Sequence, residues 1–160
     1  MTETVLYIRR NTGLLTLCYF LQSEYDNVKV ISDDSMIISI AKNHGIEVVD
    51  FKTIGKCDLF VCVHGNKKVA EKYIDGAIAF NIHPCLFKYR GKDPIARYIS
   101  NQDTIASVES HYMTDVIDGG DVIHQEFFET PICEKYETFY NIAYPYYINT
   151  LHETLIKLNV

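Results

Sequence analysis

The sequence predicts an α/β fold: a Rossmann-like, mostly parallel twisted sheet with helices on both faces, followed by a C-terminal antiparallel β pair and a helix. Short apolar runs alternate with helix-like patterns through the first half of the chain, which is typical of parallel strands joined by helical crossovers. The second half holds two β-rich runs joined by a glycine turn, and then a long helical pattern. Because 160 residues is the size of one domain, we expect residues 1–160 to form a single domain.

Five apolar runs of strand length make up the predicted parallel part of the sheet. They are Val5–Ile8, Val28–Ile31, Ile46–Val49, Leu59–Val63 and Ala77–Phe80. Polar segments follow three of the runs, at Arg9–Gly13, His64–Asn66 and Asn81–His83. Ligands bind beyond the carboxyl ends of parallel strands, so we interpret these segments as turns on the functional edge of the sheet.

Three helices are predicted between these strands. Apolar residues recur at helical spacing over Leu14–Leu21. A second helix begins at the capping residues of Ser32–Ser35 and ends at Asn43–Gly45. A third, short helix fits Val69–Ile74. The resulting order of strands and helices requires crossover connections, and these are right-handed in parallel sheets.

The second half of the chain changes character. Thr104–Met113 and Asp121–Phe128 are β-rich and are joined through a turn at Asp118–Gly120, which predicts an antiparallel pair. A long helical pattern covers Glu134–Leu158. Pro145 lies inside that pattern and is expected to kink or split the helix, because proline lacks the backbone N–H that the helix needs.

Composition and charge narrow the classes of function. The formal net charge is −6, and the longest basic run is two lysines, so we expect no nucleic-acid partner. The apolar runs are too short to span a membrane. The five cysteines form no Cys-x-x-Cys pair, which predicts reduced thiols in the cytoplasm and no metal site. The tyrosine-rich last helix leaves room for a homodimer, although its tyrosines also suit core packing.

Two segments carry the chemistry. The first, Asn81–Pro94, reads NIHPCLFKYRGKDP, and the second, His111–Ile123, reads HYMTDVIDGGDVI. Together they resemble the signatures of the folate-dependent formyltransferases: Asn-x-His-Pro-Ser, Tyr-Arg-Gly-x-x-Pro and a later Leu-Asp-x-Gly turn. The resemblance runs from about Leu59 to the C-terminus. It implies a Rossmann-like catalytic domain that takes its formyl group from 10-formyltetrahydrofolate.

Asn81, His83 and Asp118 are the predicted catalytic residues. Formyl transfer to an amine passes through a tetrahedral intermediate with a negatively charged oxygen, and donors aimed at that oxygen lower the barrier. The His83 imidazolium and the Asn81 amide can supply such donors. Asp118 can accept the protons that the amine loses, directly or through water. The resemblance implies the same roles for these three positions.

Further site residues are predicted around this centre. The resemblance implies that the backbone at Val63, His64 and Gly65, and at Val116 and Ile117, holds the pterin ring. His111 matches a family histidine and is predicted to support the catalytic residues from behind or to serve the core.

A small, phosphate-bearing acceptor is the expected substrate. Arg9, Arg10 and Asn11 follow the first strand, where two arginines can clamp a phosphate. Arg90 is expected to line the acceptor entrance or to pin its own loop. Solvated surface charges remain an equal alternative for Arg9 and Arg10.

The pattern also departs from the family. Only a short linker joins Val49 to Leu59, where relatives carry another helix, and Ser107 stands where a glycine is expected. The chain stops after one helix, where methionyl-tRNA formyltransferases carry a further domain, so we expect no tRNA acceptor. An amino-sugar nucleotide is the leading acceptor. A glycinamide ribonucleotide formyltransferase, a formyltetrahydrofolate hydrolase and a non-catalytic folate- or nucleotide-binding relative remain open alternatives.

Overall fold

The computed structural model describes residues 3–160, which form two compact units that meet between Asn81 and Ile82. Strand β5 (Ile78–Pro84) runs through this boundary. The first unit holds four further strands and two helices, and the second holds two further strands and two helices. The predicted α/β class, with parallel strands followed by an antiparallel pair, is confirmed.

The strands of the first unit follow the order β3-β2-β1-β4-β5. Apart from β5 they are β1 (Glu3–Ile8), β2 (Asn27–Ile31), β3 (Glu47–Val48) and β4 (Leu59–Val63). The β1–β2, β1–β4 and β2–β3 pairs are parallel. Residues of β1 and β4 are buried on both faces, as continuous apolar strands of parallel sheets usually are. All four predicted strands of this group are therefore present.

Helices α1 (Arg10–Leu21) and α2 (Ser35–Asn43) belong to the first unit. The carboxylate of Asp34 accepts from the backbone N–H groups of Met36 and Ile37, so the predicted cap of α2 is in place. The prediction of a turn at Arg9–Gly13 is wrong, because α1 already starts at Arg10. The Gly13 N–H donates to the Arg9 carbonyl and closes the first helical turn.

The short helix predicted at Val69–Ile74 is reduced to a single 3-10 turn, Glu71–Tyr73. All three residues of this turn are exposed or half-buried. A helix this short has little apolar surface to bury, and nucleation is unfavourable without such packing.

The prediction that Asn81–His83 is a turn is also wrong, because β5 continues to Pro84. Its apolar run ends at Phe80, but the strand goes on with buried Ile82 and buried His83. Residues two apart on a strand leave the same face, so Asn81 and His83 share one face of β5.

In the second unit, β6 (Ile105–Tyr112) and β7 (Val122–Glu129) pair antiparallel, with a register shift at Ser110/His111, and the order is β5-β6-β7. Helix α3 (Pro94–Ser100) was not predicted, although Pro94 at its first turn is a typical start signal. Helix α4 (Tyr136–Leu158) packs on β6 and β7.

Pro145 does not split α4, which is one helix of 23 residues. A proline removes one hydrogen bond, but buried packing on the sheet supplies most of the stability of such a helix. The Tyr146 ring stacks on Phe128 of β7 at 4.2 Å, and the Thr154 hydroxyl donates to the Ser110 hydroxyl of β6. Both contacts lie on the C-terminal side of the proline, and on its N-terminal side the Phe139 ring lies 6.1 Å from the Phe128 ring. Within residues 3–160, no helix is long and apolar enough to cross a bilayer.

Candidate active site

His83 and Asp118 form a buried dyad in the second unit. The His83 Nε2 atom lies 3.1 Å from the Asp118 Oδ2 atom, and each side chain is 8% exposed. His83 is placed by β5, and Asp118 sits in the connection between β6 and β7 with a left-handed φ of 54°. The structure therefore brings together the imidazole and the carboxylate that the motifs singled out.

The peptide of Gly91 contacts both members of the dyad. Its N–H donates to Asp118 Oδ2 at 2.7 Å, and its carbonyl lies 3.3 Å from His83 Nε2. Both neighbours of Nε2, the carboxylate and the carbonyl, are acceptors. The Nε2 atom of His83 must therefore carry a proton.

The Nδ1 atom of His83 is buried, and it has no hydrogen-bond partner among the described residues. A buried ring nitrogen without a partner is costly, since nothing replaces its lost hydration. In His83, the Nε2 atom is thus engaged by Asp118, and the Nδ1 atom can bind a reacting group.

His111 approaches the other oxygen of the same carboxylate. Its Nε2 atom lies 3.4 Å from Asp118 Oδ1, and its Nδ1 atom donates to the Tyr112 carbonyl at 3.0 Å. The rings of His83 and His111 are 6.5 Å apart. Two imidazoles therefore flank Asp118, in line with a supporting place for His111.

Asp118 is held in its ionised form. Burial raises its pKa, but hydrogen bonds from His111 and His83, the charge of His83 and the Gly91 N–H together outweigh burial. The net result is a pKa well below the usual range of an aspartate. A carboxylate of this kind is a permanent negative charge and a weak proton acceptor.

Arg90 pins its own loop to the dyad. Its Nη1 atom donates to the Asp118 backbone carbonyl at 2.9 Å. Val116 and Ile117, predicted at the pterin site, precede Asp118 and are 60% and 63% exposed. Apolar side chains this exposed leave a contact surface next to the carboxylate.

The other predicted pterin-binding residues lie in the first unit. Val63 ends β4, and His64 follows with a left-handed φ of 60° and its Nδ1 atom 2.6 Å from the Thr12 hydroxyl. The backbone of Gly65 lies against the ring of Tyr7, because an added Cβ would be 2.5 Å from that ring.

The Tyr7 hydroxyl holds this loop in place. It donates to Asn66 Oδ1 at 2.7 Å and accepts from the N–H groups of Asn66 and Lys67. The segment after β4 is thus fixed by hydrogen bonds from one side chain of β1.

The two arginines after β1 have different environments. Arg9 donates from Nε to Asp33 Oδ1 at 2.6 Å, so its guanidinium is already paired. Arg10 and Asn11 are exposed in the first turn of α1. Pairing by Asp33 reduces the charge that Arg9 can offer to a phosphate.

Sequence reasoning missed two contributors to the second-unit site. The Gly91 backbone N–H has no side-chain signal, since almost every residue carries such a group. Glu109 is fully buried on β6, where it accepts from the N–H groups of Leu86 and Phe87, just after the strand of His83. A charged residue inside an otherwise uncharged β run is the signal that could have identified it. Within residues 3–160, no group of three or more His, Cys, Asp or Glu side chains is arranged to hold a metal ion.

Comparison with known proteins adds relatives in sequence and in structure. No family model matches the chain. A methionyl-tRNA formyltransferase of Fervidobacterium nodosum is 27% identical over 112 residues, which are 69% of this chain and 35% of that protein. The chain thus spans about a third of the length of this curated relative.

Solved structures share the fold. An N-formyltransferase from Helicobacter canadensis, solved with folinic acid and dTDP-3-aminofucose, superposes with a TM-score of 0.84 at 22% identity, covering 99% of this chain and 65% of that one. The phosphoribosylglycinamide formyltransferase of Campylobacter jejuni gives 0.77 at 17% identity, covering 99% and 98%. Over about two thirds of its length this chain is similar in sequence to a methionyl-tRNA formyltransferase, and over nearly all of it the fold is that of solved formyltransferases.

Proposed function

We propose that this chain is an N-formyltransferase that moves a formyl group from 10-formyltetrahydrofolate to the amine of a small anionic acceptor. The observation that carries the proposal is the polarised His83 ring: Nε2 is held by Asp118, and Nδ1 is buried and unpartnered. As an imidazolium, with a proton on each ring nitrogen, this side chain would donate from Nδ1 to one developing negative charge. The similarity to formyltransferases supports the reaction class.

The acceptor amine attacks the formyl carbon, and the carbonyl π electrons move to its oxygen. Collapse of the tetrahedral intermediate breaks the bond to N10 of the folate, and the proton lost by the amine ends on N10. The products are the formamide and tetrahydrofolate. His83 would donate from Nδ1 to the intermediate's oxygen, a contact that exists fully only in the transition state.

Asn81 is proposed as a second donor to that oxygen. It shares a face of β5 with His83, and its amide carries two donor hydrogens. Donors carried by a strand are better preorganised than donors on loops.

Asp118 acts mainly through its charge. Because its pKa lies well below the usual range, it is poorly suited to remove a proton directly at neutral pH. Its oxygens instead orient His83 and balance the positive charge on the ring while Nδ1 donates. The amine's proton then travels to N10 through water held by the carboxylate.

Different segments are proposed to bind the folate that donates the formyl group and the amine that accepts it. The backbone after β4, at Val63–Gly65, and the exposed pair Val116 and Ile117 are proposed to hold the pterin. Arg10, with Asn11 beside it, is the better candidate for the acceptor's phosphate, because Arg9 is engaged by Asp33. An amino-sugar nucleotide is the first acceptor to test. The five free thiols favour a cytoplasmic enzyme.

The test is a formylation assay with 10-formyltetrahydrofolate and a panel of amino-sugar nucleotides plus glycinamide ribonucleotide, read by mass spectrometry. We expect a formylated product with one acceptor, and a loss of about 10²–10³-fold in kcat for His83→Gln. The exposed helix-end residue His44→Gln serves as the matched control and should retain activity.

Two results would replace this proposal. Formate release at the same rate with and without an amine makes water the acceptor, and the protein a hydrolase. Folate or nucleotide binding without turnover, unchanged in His83→Gln, makes it a binding module.

A further inference from the structure

Arg97 of α3 bridges the backbone on both sides of Gly91. Its Nη2 atom donates to the Arg90 carbonyl at 2.6 Å and to the Lys92 carbonyl at 2.9 Å. A guanidinium Nη2 carries two hydrogens in a fixed plane, so one nitrogen can satisfy both carbonyls at once. This fork encloses the single residue whose peptide touches the dyad.

Hydrogen bonds contact the Gly91 peptide, and the space that a side chain would occupy is open. Gly91 has a left-handed φ of 80°, and an added Cβ would meet nothing within 4 Å. The peptide nevertheless donates to Asp118 and lies within hydrogen-bond distance of His83 Nε2. Besides these contacts and the Arg90 hydrogen bond to the Asp118 carbonyl, the loop is held through the carbonyls on either side of Gly91.

The beginning of the same loop has a separate anchor. Lys88 Nζ lies 2.7 Å from Asp103 Oδ1, and the Tyr89 hydroxyl donates to the same carboxylate. The Arg97 guanidinium lies 5.3 Å from the centre of the Tyr89 ring, which limits its sideways movement. Asp103 thus fixes residues 88–89, and Arg97 extends that anchoring to residues 90–92.

The guanidinium gives up hydration to make this fork. Its Nε atom is buried without a hydrogen-bond partner among the described residues. A buried donor that is left unpaired is unfavourable. The position of Arg97 is therefore dictated by its Nη2 contacts rather than by the best placement of the whole group.

We propose that Arg97 is a positioning residue that sets the geometry of the His83–Asp118 dyad through the Gly91 peptide. The inference rests on the proposed formyl transfer for its kinetic consequence. Without the fork, the Gly91 peptide leaves the dyad, Asp118 Oδ2 loses a donor, and His83 Nε2 loses one of its two acceptors. The ring then no longer holds Nδ1 in one direction.

Arg97→Lys is the central variant, because lysine keeps the charge and the alkyl chain but cannot fork between two carbonyls in a plane. Arg97→Ala removes the contact altogether. Lys92→Gln is the matched control: it removes an exposed positive charge from the same loop and keeps the carbonyl that Arg97 contacts.

Amide hydrogen exchange of Gly91 and the 15N shifts of the His83 ring are measured by NMR on the full chain, with kcat and KM for the folate alongside. In Arg97→Ala we expect Gly91 exchange to quicken at least about tenfold, with Val108 of β6 unchanged. We expect kcat to fall by up to about 10²-fold with KM little changed. Arg97→Lys should lie between, and Lys92→Gln should match the wild type.

Unchanged Gly91 exchange and His83 shifts in folded Arg97→Lys overturn the proposal, whatever the kinetics. If Arg97→Ala does not fold, Arg97→Lys decides alone. If the wild type transfers no formyl group, the proposed function fails, while the exchange and ring shifts still decide whether Arg97 sets the dyad. A parallel loss of exchange protection throughout β6 would make Arg97 merely structural and would also overturn the proposal.

Discussion

Asp118 Oδ2 lies 3.1 Å from His83 Nε2, in a pair of side chains that are each 8% exposed. Burial of an ion pair strengthens the attraction, but it also removes water from both charges. The pair is favourable here because the carboxylate accepts further hydrogen bonds, from His111 and the Gly91 N–H. The pH dependence of stability follows from this arrangement.

Asp118→Asn should destabilise the fold by about 2 kcal/mol at neutral pH, because hydrogen bonds to a charged group are lost. The folded pKa of Asp118 is depressed, so its contribution is complete above the unfolded value of 3.8 and is lost as pH falls toward the folded value. Urea unfolding at pH 7, 5 and 3 measures the difference in unfolding free energy between the wild type and Asp118→Asn. We expect the same difference at pH 7 and 5 and a smaller one at pH 3. A difference that stays constant would contradict a depressed pKa of Asp118.

Glu109→Gln should cost about 2–3 kcal/mol, since a buried carboxylate that accepts several hydrogen bonds becomes an amide with only one acceptor oxygen. Its partners include Leu86 N–H and Phe87 N–H, besides the Ser107 hydroxyl and the Gln125 amide. Glu129→Gln, at the exposed end of β7, is the control and should change stability by less than about 0.5 kcal/mol. Similar losses for both variants in urea unfolding would refute this account.

Gly120→Ala should destabilise the protein by about 3 kcal/mol or more, because the added Cβ would lie 1.9 Å from the Tyr112 carbonyl oxygen. The obstacle is backbone, which cannot rotate away. Gly45→Asn is a suitable control, since space around Gly45 is open and asparagine accepts its left-handed φ of 73°. Thermal unfolding compares the two; equal shifts in Tm would mean that the turn at Gly120 relaxes freely.

Buried cysteines should be alkylated more slowly than half-buried ones. Burial raises the pKa of the Cys85 thiol to about 12 and that of Cys57 to about 11, so neither forms a reactive thiolate near neutral pH. Cys18 is half-buried and should be modified first by iodoacetamide at pH 8. Peptide mass spectrometry of the native and urea-unfolded protein measures the order. Rapid native labelling of Cys85 would show that the segment after β5 opens.

Runs of apolar residues made the strands predictable. The run Leu59–Val63 is apolar throughout and matches β4 at both ends. The end of β5 was misjudged because Asn81 and His83 are polar, although Ile82 and His83 are buried. These two polar residues belong to the candidate site and not to a turn, so polar residues do not mark the end of this strand.

The candidate site was predictable only where side chains carry it. His83, His111 and Asp118 stand out as residue types, and the structure places both histidines around the Asp118 carboxylate. The Gly91 peptide acts through backbone atoms, and Arg97 acts through backbone carbonyls. Contacts of this kind depend on where a loop lies in space, which no pattern of residue types specifies.

The left-handed backbone of Asp118, with φ of 54°, decides how its chemistry can be dissected. Aspartate and asparagine occupy this region several-fold more readily than other non-glycine residues, whereas alanine is strained there by about 1–2 kcal/mol. An alanine scan would therefore report a distorted hairpin connection together with a missing charge. Asp118→Asn leaves the main chain undisturbed, so this substitution isolates the contribution of the negative charge at this position.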